Sequence, residues 1–136
     1  MEFKLCIVDF EIGLINAAIY QFGAKKVLGC YFHLKQAWFK KMKKHEISDN
    51  DAMNCCKELE LMTLVDPTEI QITIKYVQEK IGHPDKWINF WRYFSTTWIT
   101  RFNPRLWSIH KIDDKQISGR TNNCLEKYNI RLNEQF

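Results

Sequence analysis

A chain of 136 residues, 46% hydrophobic and 14% aromatic, is long enough for one domain with a real core and too apolar to remain disordered. No apolar run approaches the roughly 20 residues of a membrane span and no secretory leader pattern opens the chain, so a membrane partner is excluded and a soluble, intracellular protein is expected. The net charge of +4 is unevenly spread: residues 1–45 hold eight Lys and Arg against three Asp and Glu, residues 46–85 three against nine, and residues 86–136 nine against four. Two basic parts around an acidic middle suggest a segment inserted into one domain whose basic parts meet a polyanion.

In chain order, Lys4 to Val8 (KLCIV) is a short apolar run ending at Asp9, which predicts a buried strand. Phe10 to Phe22 has helical spacing through Ile12, Ile15, Ile19 and Phe22, and Gly23 closes that helix. Lys26 to Gly29 predicts a second strand. Tyr31 to His45 predicts a second helix with Leu34, Trp38 and Met42 on one stripe. Strand, helix, strand, helix implies a parallel pair joined by a right-handed crossover. Asp49 to about Tyr93 reads as helical throughout, broken at Asp66-Pro67 and at Gly82-His83-Pro84. Asn103-Pro104 breaks the pattern again, LWSIH is ambiguous between strand and helix, and Asp113 to Gly119 reads as a loop. The organisation expected is a core part at 1–45, a helical insertion at 46–104 and a final segment at 105–136.

That final segment carries RTNNCLEKYN, with Asn122 suited to cap a helix running to Phe136. Cys124, Leu125, Tyr128, Leu132 and Phe136 form an ordinary core stripe. Asn122, Glu126, Asn129 and Asn133 share a flanking face, which is either a solvated polar surface or a carboxylate oriented by carboxamides for metal or phosphate chemistry. Asp9, at the carboxyl end of a strand, either caps the following helix or binds a divalent cation with Glu126. The run Lys40, Lys41, Met42, Lys43, Lys44 is either a helix end that complements the macrodipole or a DNA contact. Trp87, Trp91, Phe94 and Trp98 follow helical spacing and suit a core. Trp107, beside Arg105 and between two breaks, is the better candidate for stacking on DNA bases. The five cysteines, Cys6, Cys30, Cys55, Cys56 and Cys124, lack a disulfide framework's spacing. Cys30 and His33 form a Cys-x-x-His with no matching second pair, so a structural core pair is expected and zinc is not.

VDFEIGLINA at 8–17, LGCYFHLKQAW at 28–38, FWRYFSTTWI at 90–99 and RTNNCLEKYNIRLNEQF at 120–136 together resemble the Mutator-like element (MULE) transposase domain, in the right order and over nearly the whole chain. The resemblance implies an α/β, ribonuclease H-like fold interrupted by an all-helical insertion. It implies a DDE transposase of the nucleus that cuts and joins DNA at transposon ends with Mg²⁺ or Mn²⁺, needing no small-molecule cofactor and open to homo-oligomerisation. Asp9 then corresponds to the second catalytic acid and Glu126 to the third, both metal ligands. Arg120, Asn122, Asn123 and Asn129 join Lys40, Lys41, Lys43, Lys44, Arg105 and Trp107 as expected DNA contacts. The family's first acid lies on an earlier strand, so residues 1–136 are expected to be a partial catalytic domain, inactive alone. The alternative is a host-retained, transposase-derived DNA-binding or regulatory module without catalysis.

Overall fold

The protein is described here by a computed structural model covering residues 5–110, which is mostly helical with one short parallel sheet, α/β in the coarse sense. Residues 5–34 belong to one compact unit and Lys35–His110 form another.

The first unit is built on β1 (Cys6–Val8) and β2 (Val27–Gly29), which pair in parallel with Cys6 opposite Val27, Ile7 opposite Leu28 and Val8 opposite Gly29. All six residues are buried. Parallel neighbours need a crossover, and α1 (Ile12–Phe22) supplies it. The expected pair of strands is therefore present, each trimmed to three residues. Helix α1 starts two residues later than the periodicity of the sequence places it. Glu11, not Asp9, occupies the cap position, and it makes no side-chain cap bond. The chain bends between strand and helix, with the Glu11 amide donating to the Asp9 carbonyl at 2.8 Å. Gly23 ends α1 as expected: its φ of 86° suits glycine, and its N–H donates to the Ile19 carbonyl at 2.8 Å.

Helix α2 (Tyr31–Lys44) follows β2 after Cys30 and runs on into the second unit. Its expected stripe holds, since Leu34, Trp38 and Met42 are all fully buried. The second unit continues with α3 (Asp49–Leu64), α4 (Ile70–Ile81) and α5 (Pro84–Phe94). Ser48 starts α3 by accepting the Asp51 amide on its hydroxyl. Pro67 opens a 3-10 turn and Pro84 opens α5, each in a first turn where its missing N–H costs nothing. Both expected breaks fall there. A π-helical segment, Ser95–Arg101, then extends α5.

Aromatic rings fill this unit. Trp38 lies 5.9 Å from Phe94 and 6.4 Å from Trp107, edge-on to the latter, and Trp87, Phe90 and Trp98 are buried with them. Two expectations change here. Trp107, expected to stack on DNA, is 1% exposed, and its indole N–H donates to the carbonyls of Trp98 and Phe102, both at 3.2 Å. The LWSIH stretch is neither strand nor helix beyond the 3-10 turn Pro104–Leu106. It is tied back to α3 by the Ile109 amide, which donates to the Thr63 carbonyl at 2.7 Å. The helical unit is thus longer than the expected insertion at 46–104, because the second half of α2 and the segment through His110 complete its core. No helix among the described residues is long and apolar enough to cross a membrane.

Candidate functional site

The parallel register places the carboxyl ends of β1 and β2 side by side, where open α/β sheets assemble ligand chemistry. Asp9 leaves β1 and Cys30 leaves β2 at the same level, and the Cys30 amide continues the ladder by donating to the Val8 carbonyl at 2.8 Å. One turn further on, His33 projects from the start of α2. Its Nδ1 lies 2.6 Å from Asp9 Oδ1. Freed from helix capping, the Asp9 carboxylate meets an imidazole instead.

The contact is close without being a hydrogen bond. Among the described residues, neither Asp9 Oδ1 nor His33 Nδ1 has a partner in hydrogen-bonding geometry, although both atoms are fully buried. The distance is that of an ion pair, but the directions are wrong for a proton shared along the N···O line, and direction governs hydrogen-bond strength as much as distance does. The two side chains as a whole keep about a third of their surface, 33% for Asp9 and 34% for His33, so their outer atoms face solvent while the contacting atoms do not. Gly29 is part of the same corner. A Cβ at that position would come within 2.3 Å of the Phe10 ring, so only glycine lets the residue after Asp9 lie against β2.

The other candidate residues divide clearly. Cys30 is fully buried, beside Asp9 and His33 in the chain's path. Glu126, Arg120, Asn122, Asn123 and Asn129 lie outside the described residues. Lys40, Lys41, Lys43 and Lys44 end α2, and three of them occupy its last turn, where they complement the macrodipole. Lys41 lies over the Tyr93 ring at 4.8 Å, and Lys43 pairs with Asp49 at 2.5 Å. Lys40 and Lys44 remain exposed. Arg105 is exposed too, its backbone N–H held by the Asn103 side chain at 3.0 Å.

The remaining thiols offer no second centre. Cys55 and Cys56 are buried on α3, and burial, aided in Cys55 by the neighbouring thiol and Glu58, raises both; Cys56 is pushed up to about 11, so both stay protonated. Cys6, Cys30, Cys55 and Cys56 form no disulfide. A cavity of about 300 Å³ in the helical unit opens between the ion pairs Glu58–Lys80 and Asp51–Lys86, with its strongest charges already matched. Among the described residues no three His, Cys, Asp or Glu side chains gather as a metal site, which leaves Asp9 and His33 as a converging pair.

The sequence signal for this pair was available in principle. In a parallel pair the residue after β1 and the first turn of the helix after β2 must be neighbours, which selects Asp9 and His33 once the register is known. Compared with known protein families, with characterised proteins and with solved structures, the chain matches none.

Proposed function

We propose that this chain is part of a MULE-type, ribonuclease H-like DNA transposase, and that Asp9 and Glu126 hold the divalent cations of its strand-cleavage and strand-transfer chemistry. The observation that carries the reading is the position of Asp9: it directly follows the first of two parallel strands, does not cap α1, and sets a partly exposed carboxylate, one oxygen buried, beside His33. The resemblance of the flanking motifs adds Glu126 and assigns the chemistry.

Bound there, Mg²⁺ or Mn²⁺ would clamp the attacking and leaving oxygens of a phosphodiester during in-line displacement. The chain's own contribution is to fix a carboxylate at the end of a buried strand, where the ladder and the Phe10–Gly29 contact limit its movement. Lys40 and Lys44 offer exposed positive charge to a phosphate backbone. The resemblance matches two of the family's three acids, Asp9 and Glu126.

The test is a nicking and strand-transfer assay on candidate transposon ends, with Mg²⁺ or Mn²⁺, using an upstream-extended chain and its Asp9→Asn and Glu126→Gln variants. Cleavage by the extended chain that both variants abolish supports the reading. Cleavage that survives Glu126→Gln overturns the assignment. DNA binding without cleavage by the extended chain favours the non-catalytic, host-retained module instead.

A further inference from the structure

Asp9 Oδ1 and His33 Nδ1 raise a physical problem that neither strand nor helix resolves. Two buried polar atoms 2.6 Å apart, with no hydrogen bond between them and none to any other group among the described residues, would be costly if left that way. A proton on Nδ1 aimed elsewhere leaves the carboxylate oxygen unsatisfied. A lone pair on Nδ1 faces a negative oxygen at closer than van der Waals distance.

A cation beside both atoms removes the conflict. Two ligands each about 2.1 Å from an octahedral ion, in adjacent positions, stand roughly 3 Å apart, so the observed pair needs to open by only a few tenths of an ångström. We propose that His33 is a metal ligand, binding through Nδ1 the same divalent cation as Asp9. The inference rests on the cation reading of Asp9 above and deepens it by adding a nitrogen donor and hence a metal preference. Imidazole suits first-row transition ions, whereas Mg²⁺ prefers carboxylate and water, so the nitrogen donor should shift the site away from Mg²⁺, and Mn²⁺ serves as its spectroscopic probe. The Cys-x-x-His of the sequence is then divided by the fold: Cys30 goes to the buried interior and His33 to the cation.

The experiment uses the full chain loaded with Mn²⁺ alone and reads nitrogen coupling to the ion by electron spin echo envelope modulation. Wild-type protein should show a directly bound ¹⁴N, replaced by a ¹⁵N signature when the protein is made with ¹⁵N-histidine. His33→Gln should lose the coupling and bind Mn²⁺ about tenfold or more weakly, while His45→Gln, His83→Gln and His110→Gln keep it. The labelled wild-type protein and these three variants preserve the test even if His33→Gln does not fold. Mn²⁺ bound in an Asp9-dependent manner with no histidine nitrogen overturns the role of His33 and leaves that of Asp9 standing. No bound Mn²⁺ overturns both.

Discussion

Replacing Trp107 by alanine should unfold the protein readily and do nothing specific to DNA. The indole is 1% exposed, lies edge-on to Trp38 and Phe94 at 6.4 Å from each, and donates to two backbone carbonyls. Removing a buried Trp side chain costs about 3–5 kcal/mol in lost contacts and residual cavity. With a urea slope of about 2 kcal/mol/M for a chain of this size, the midpoint should fall by about 2 M. Trp107→Phe keeps most of the volume but removes the N–H donated to the Trp98 and Phe102 carbonyls, so a smaller loss of about 1–3 kcal/mol is expected. The assay is equilibrium urea unfolding of the full chain followed by far-UV circular dichroism, because tryptophan fluorescence would change with the substitution itself. A midpoint unmoved by Trp107→Ala, together with weakened DNA binding, would refute the core placement and return Trp107 to the DNA surface.

Gly29→Ala should cost about 1–3 kcal/mol in the same assay, because the new Cβ drives into the Phe10 ring. Ser48→Ala should cost about 1 kcal/mol by removing the cap of α3. Asp51 is held below its usual range, first by the hydrogen bond from Lys86 and then by that from Ser48. A depressed folded-state value contributes stability above the unfolded-state value and loses it as pH falls through the folded one, so Asp51→Asn should flatten the loss of stability below about pH 4. If DNA binds at the end of α2, replacing Lys40 and Lys44 together by alanine should lower the slope of log affinity against log salt by about 2, measured by titration at several salt concentrations.

What the sequence showed depended on how local each signal was. The breaks at Pro67 and Pro84 were legible because proline's ring and missing N–H act on its own turn. The parallel pair followed from two short apolar runs with one helix between them, since such strands cannot be joined by a tight turn. Trp107 was misplaced because Asn103-Pro104 and Arg105 announce a turn without saying which side chain it turns inward. Asp9 was weighed as a cap because Asp before a helix usually is one. Its contact with His33, 24 positions away, is tertiary and depends on strand register. The four lysines looked like one patch, yet Lys41 and Lys43 are engaged by Tyr93 and Asp49, neighbours that helical spacing alone does not reveal.

The central claim, a cation held jointly by Asp9 and Glu126, can be mapped on the backbone itself. Fe²⁺ occupying the site would, with ascorbate and peroxide, generate radicals that cut the chain within a few ångströms of the ion. Cuts are expected near residues 9, 33 and 126 in the full chain, suppressed together by excess Mn²⁺ and by Asp9→Asn. Cuts confined to other positions, or cuts near residue 126 that persist unchanged in Asp9→Asn, would contradict it.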